Sequence, residues 1–194
     1  MQDYRIEPIF REKRRYEILD GKIYNMARAS SNHNAIILNI ASMFGNFLKG
    51  KRCRAFVDGV DVCLSENDTV VPDVMIVCNR DIIKKNGIYG APDLIVEVLS
   101  PSTAERDIGY KKDLYEKHGV KEYWIVNAAD RSIQVYLLEN GVYKLGKIYQ
   151  VYEDYFLELM EEDEKAAIIH EFKISLVGFD DLIINVEEVF ENVE

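Results

Sequence analysis

The chain has 194 residues, 48% of them hydrophobic and 30% charged, enough for one globular domain with its own core and no need of covalent staples. Thirty-four acidic side chains against 24 basic ones leave a formal net charge of −10, the wrong sign for a protein that holds nucleic acid by counterion release alone. Three cysteines, Cys53, Cys63 and Cys78, are an odd number lying in or beside apolar runs, which argues against a disulfide framework and for a reducing, cytoplasmic setting. The first residues carry no apolar leader, and no later segment is long and apolar enough to span a bilayer, so no membrane partner is expected. The charge is uneven: residues 11–15, 49–54, 84–85 and 111–112 are basic, whereas 161–164 and 191–194 are acidic.

In chain order, Asp20-Gly21 separates two short strand-like runs, 16–19 and 22–24, and favours the positive φ angles of a tight hairpin. Ile36, Ile37, Ile40, Phe44 and Phe47 recur at helical spacing and predict an amphipathic helix from about Ser31 to Leu48, with Gly50 as a stop. Strand candidates follow at 54–57, 60–64, 70–78 and 94–99. Ser102 stands three residues before Glu105 in the pattern of a capping box, predicting a helix to about Lys117 that ends at His118-Gly119. Two strand-like runs, 122–126 and 133–138, lie either side of a polar turn; signals beyond Gly141 are strand-like but weaker, and 180–190 reads as a last amphipathic helix. The order of elements predicts an α/β fold with a sheet covered by helices on both faces, and residues 1–194 read as one domain.

Chemistry concentrates in three places. Glu97 interrupts Leu94-Ile95-Val96-Glu97-Val98-Leu99, a run that otherwise suits a strand buried on both faces. Burying an unpaired carboxylate costs several kcal/mol, so Glu97 must be paired, protonated or bound to a cation. An ion pair with a nearby lysine at the open end of a strand is the plainer alternative. Asp73 opens a second apolar run after Pro72; Pro-Asp is also ordinary turn chemistry, and for Pro92-Asp93 the turn reading is preferred. Together Asp73 and Glu97 could supply the carboxylate oxygens that Mg²⁺ takes alongside water and phosphate. On the following helix, Ala104, Ile108 and Tyr115 define an apolar stripe that includes Lys111, which should therefore face the sheet rather than pair with Asp107 on the surface.

These segments resemble the PD-(D/E)xK nuclease superfamily, specifically its Uma-two branch of restriction-endonuclease-like proteins. The likeness is carried by YEILDGKIY at 16–24, VPDV at 71–74, PDLIVEVLSPST at 92–103, DIGYKKDLY at 107–115 and GVKEYWIV at 119–126. It implies a restriction-endonuclease-like mixed four-stranded sheet flanked by helices, here with extra antiparallel strands, and Asp73 and Glu97 as first and second acids. The superfamily lysine belongs two residues after the second acid, where this chain has Leu99; the resemblance therefore transfers that role to Lys111. Glu17 lies in a family motif and is a candidate fourth member of the site, against a surface hairpin glutamate. His33 is a candidate for an indirect or substrate contact, with a helix-capping region as the plainer account.

The implied activity is Mg²⁺-dependent endonucleolytic hydrolysis of DNA, with Mn²⁺ able to substitute. Asp73, Glu97 and the backbone carbonyl of Val98 would hold the ion, and Lys111 would orient water and stabilise the transition state. Two rivals stand: an inactive nuclease-fold scaffold, favoured by the acidic balance, and a small-molecule metal phosphodiesterase. A homodimer edge is expected in 133–138 and 141–149.

Overall fold

The computed structural model describes residues 15–176 and 179–193. Of the basic run at 11–15, residues 11–14 lie outside them. In chain order the elements are β1 (Tyr16–Leu19), β2 (Lys22–Asn25), α1 (Ser31–Phe47), β3 (Arg54–Val57), β4 (Val62–Cys63), β5 (Thr69–Val70), β6 (Val74–Val77), β7 (Ile83–Lys84), β8 (Gly87–Tyr89) and β9 (Leu94–Val98). Then come α2 (Ala104–Arg106), a π-helical turn (Asp107–Lys111), α3 (Lys112–His118), β10 (Glu122–Asn127), β11 (Ser132–Glu139) and β12 (Val142–Gln150). The chain closes with α4 (Asp154–Leu159), α5 (Glu162–Ala166), β13 (Glu171–Lys173), β14 (Ile183–Asn185) and α6 (Val186–Val189).

The hairpin turn at Asp20-Gly21 forms as its chemistry dictates, both residues at positive φ (51° and 71°). Helix α1 starts where Ser30 accepts the His33 amide at 3.2 Å and buries Ile36, Ile37, Ile40 and Phe44. The central sheet is mixed and has six strands, order β12-β11-β10-β9-β6-β3, in which β11 and β12 are antiparallel additions to the four strands β10, β9, β6 and β3. Only β9 and β10 run parallel, joined by the crossover through α2 and α3. A second six-stranded sheet, β2-β1-β5-β4-β8-β7, gathers the short strands. Strand alternation divides the core in two. Val74, Ile76, Leu94, Val96 and Val98 pack with α1 and the C-terminal segments, whereas Met75, Val77, Ile95 and Ile125 pack with α3 and the second sheet.

Four local expectations are corrected. The strand anticipated over 70–78 is two strands in different sheets, because Pro72 has no amide to donate and the Val71 amide is taken by the Glu17 carboxylate at 3.0 Å. Ser102 does not cap the next helix: its hydroxyl lies 3.1 Å from that of Ser100, and helical residues begin only at Ala104. The tail is a hairpin and one short helical turn rather than a helix over 180–190. Leu182, Ile184 and Val186 are buried at a period of two, and Asn185 accepts the Glu187 and Glu188 amides to start α6.

The fourth concerns cysteine. Cys53 and Cys78 form a disulfide, with Cα atoms 3.9 Å apart, while Cys63 is free. The Arg54↔Val77 pairing of β3 with β6, continued by one residue, sets these two cysteines opposite each other. Cysteine number and spacing carry no information about cross-strand register. Among the described residues no helix is long and apolar enough to cross a membrane.

Candidate active site

Strand register brings the two acids together. Val74 opposes Val96 across the antiparallel β6–β9 pair, so one step further Asp73 opposes Glu97, and parity turns both toward the face that carries α3 and the second sheet. Asp73 stands at the bend where the chain leaves the second sheet for the central one. Its Oδ2 accepts the Val98 amide at 2.7 Å, and its backbone carbonyl accepts the Asp58 amide at 2.9 Å. Glu97, 3% exposed, accepts the Tyr115 hydroxyl at 2.6 Å.

Lys111 reaches the same point from the crossover helix. Its ammonium lies 2.8 Å from Glu97, 2.9 Å from Glu17 and 3.3 Å from Asp107, and the residue is 3% exposed. The inward direction foreseen for Lys111 holds, but the stripe that suggested it does not: Ile108 is 48% exposed, and the buried positions are Asp107, Lys111, Leu114 and Tyr115. These follow helical spacing, yet two of the four are charged and vanish from an apolar pattern. The surface pairing considered for Lys111 and Asp107 exists as a contact, but inside the protein. Asp107 and Lys111 are the first and last residues of a π-helical turn, an uncommon geometry that recurs at functional sites.

Glu17 enters from the second sheet. Strand β1 alternates exposed and buried residues, and its buried face carries Glu17 and Leu19 against the central sheet, so Glu17 is no surface hairpin residue. His33 enters from the opposite layer. Its Nε2 lies 3.0 Å from Asp73 Oδ1, so it does more than occupy a helix start. Sequence reasoning assigned Asp107 only a surface pairing with Lys111 and Tyr115 only a place in an apolar stripe, neither a place in the site; the spacing 107, 111, 114, 115 was the signal available for them. Asp93 behaves as turn chemistry predicts: its carboxylate accepts the Cys78 amide at 2.7 Å and pairs with Lys121 at 2.6 Å, outside the cluster.

The electrostatics follow from one ammonium among three carboxylates. Burial pushes the Glu97 carboxyl well above the usual range, opposed by Lys111 and reinforced by Asp107, Asp73 and Glu17. Burial also raises Asp107. For Lys111 burial acts downward, but Glu97, Glu17 and Asp107 outweigh it and hold the amine charged, well above its ordinary value. His33 is lowered by burial and raised more by the Asp73 carboxylate, ending above its ordinary value.

The cluster forms the floor of a cleft of about 840 Å³, walled by the Asn25–Ala29 loop, the first turn of α1, Asp58, Ser100 and Thr103. Among the described residues no three His, Cys, Asp or Glu side chains converge as a ready-made metal cage. The donors are nevertheless hard oxygens, and Mg²⁺ commonly takes only one or two carboxylates, leaving the rest of its shell to water and phosphate. Three buried carboxylates share one ammonium, which leaves negative charge that a cation would balance. Asp73 and Glu97 thus fit a hard divalent ion. For Val98, the contact seen is its amide on Asp73.

Among solved structures, 90% of the chain superposes on 89% of a protein titled "putative nuclease belonging to DUF820" from Anabaena variabilis, with a TM-score of 0.66 and 19% identity, a likeness of fold. Two Synechocystis proteins, "Uncharacterized protein slr1290" and "Uncharacterized protein sll1609", are 31% identical over 65% of the chain and 28% identical over 57%. The matches span 67% and 65% of those relatives. The sequence model of the Uma2 family, described as "Putative restriction endonuclease", matches residues 1–162, and the chain belongs to that nuclease-like family.

Proposed function

We propose that the protein is a metal-dependent endodeoxyribonuclease whose centre is Asp73, Glu97 and Lys111. The observation that carries this reading is the meeting of two opposed strand carboxylates with a buried ammonium, 2.8 Å from Glu97, at the floor of a cleft. Asp73 and Glu97, with the Val98 carbonyl as a further oxygen donor, would hold Mg²⁺ or Mn²⁺. When bound, that ion supplies Lewis-acid stabilisation of the phosphate oxygens and lowers the pKa of a coordinated water.

The chain's own residues do the rest. Asp73 is held in orientation by the Val98 amide, so its carboxylate meets a ligand without rearranging. Lys111 stays protonated at neutral pH and brings a fixed positive charge to the place where charge builds on the transferring phosphoryl group. Glu17 and Asp107 hold that ammonium in place, and the Tyr115 hydroxyl fixes Glu97. No covalent enzyme intermediate is needed.

The test is cleavage of supercoiled, linear and single-stranded DNA in Mg²⁺ and in Mn²⁺, comparing the native protein with Asp73→Asn, Glu97→Gln and Lys111→Met. Metal-dependent cutting by the native chain, lost in folded variants, supports the reading. Absence of both cutting and metal binding in the native protein replaces it with a non-catalytic scaffold. Cutting of small phosphodiesters alone replaces it with a small-molecule phosphodiesterase.

A further inference from the structure

Asp73 is held both by the central sheet, through the Val98 amide, and by the helical layer on the sheet's other face. Helix α1 packs through Ile36, Ile37, Ile40 and Phe44 on the face opposite Lys111 and Glu17. Its N-terminal turn lines the cleft, and there His33 turns its ring toward the acid, Nε2 to Oδ1 at 3.0 Å. The side chain is 13% exposed, and the ring's other nitrogen, Nδ1, is buried with no hydrogen-bond partner.

An N–H at a buried Nδ1 would be a donor with nothing to receive it, whereas an N–H at Nε2 points at a carboxylate oxygen. The neutral ring therefore carries its proton on Nε2 and donates to Asp73 Oδ1, while the Val98 amide donates to Oδ2. A carboxylate has about four lone-pair sites, so two donors leave sites free for a cation while fixing the plane of the group. His33 is itself anchored, since Ser30 accepts its backbone amide and starts the helix.

We infer that His33 is a positioning residue for Asp73: by donating from Nε2 it fixes the orientation in which the carboxylate receives a divalent cation. This rests on the reading of Asp73 as a metal ligand. Partners that orient ligating groups in this way typically change metal affinity by about 10–100-fold when removed.

The experiment is calorimetric titration of the full-length protein with MnCl₂ and with MgCl₂, with no nucleic acid present, for the native chain and three variants. Glutamine's amide nitrogen reaches about as far along the side chain as Nε2, whereas asparagine's reaches only about as far as Nδ1. His33→Gln is thus expected to bind the ion within a few-fold of the native protein, and His33→Asn and His33→Ala to bind it about 10–100-fold more weakly. Thermal melts of the metal-free proteins accompany the titrations. If His33→Ala fails to fold, the Gln and Asn pair carries the comparison.

A purely structural role would lower melting temperature without separating Gln from Asn in metal affinity, and that pattern overturns the inference. So does native-like affinity in all the variants, which leaves Asp73 as a ligand. If the native protein binds neither ion, both this inference and the metal-dependent reading fall.

Discussion

Replacing Lys111 with methionine keeps most of the apolar stem and removes the ammonium, which makes it a clean probe of the buried cluster. At an effective dielectric near 20, unit charges at the observed separations attract by about 5–6 kcal/mol per contact, most of it offset by the desolvation of all four ions. The substitution removes the attraction and leaves Glu17, Glu97 and Asp107 buried, 2%, 3% and 1% exposed, so their desolvation is no longer compensated. Breaking a buried pair in this way costs about 3–5 kcal/mol, a large share of the roughly 5–15 kcal/mol that holds a domain folded.

The loss must depend on pH. Glu97 and Asp107 already lie above their ordinary values, and without Lys111, which lowers both, they rise further. A carboxyl whose folded pKa exceeds its unfolded value destabilises the fold as pH rises from the unfolded value toward the folded one. Urea denaturation of native and Lys111→Met proteins at about pH 5 and about pH 8 measures this. The expected result is a loss of about 3–5 kcal/mol at the higher pH and a much smaller one at the lower. An equal loss at both, or none at the higher, would refute the account of Lys111 as the counter-charge of a buried carboxylate nest.

Glu122, fully buried on β10 and bonded to the Trp124 indole and the Ser175 amide, has its pKa pushed up by burial to about 7. Native stability should therefore fall by about 3 kcal/mol as pH rises from about 4.5 to about 7, and Glu122→Gln should flatten that slope in pH-dependent melts. The Cys53–Cys78 bond closes a separation of 25 residues, for which the chain-entropy relation gives about 3.5 kcal/mol; denaturation with and without reductant should differ by that order, and no difference would mean the strand register alone holds the two residues. Tyr115→Phe removes a 2.6 Å donor to Glu97 and should cost about 1.5–3 kcal/mol by chemical denaturation, a neutral result showing that Lys111 alone satisfies Glu97.

Much of the local structure was legible because short-range physics sets it. Strand β3 and helix α1 fall where their patterns place them, the Asp20-Gly21 turn forms, and the helix ends at Gly119 with a φ of 81°. Errors arose where a nearby contact diverted a group the pattern had assigned elsewhere. Ser102 is engaged by Ser100, and the Val71 amide by Glu17. The 182–190 segment has enough apolar residues for a helix, but its buried residues start at a period of two because β13 offers it a strand to pair with.

From sequence alone, Asp73 and Glu97 could be assigned to apolar strand runs, and Lys111 directed inward from a helix. A carboxylate inside a hydrophobic run demands a partner wherever the strand lies. Which partner it finds is a matter of tertiary structure. The β6–β9 register sets the two acids opposite each other, and the second sheet brings Glu17 from 80 positions before Glu97 to the same ammonium. Helix α1 delivers His33 to Asp73 from the other layer, and the β3–β6 register joins Cys53 to Cys78. Each of these contacts links residues far apart in the chain, and its energy depends on a distance that only the packed layers set.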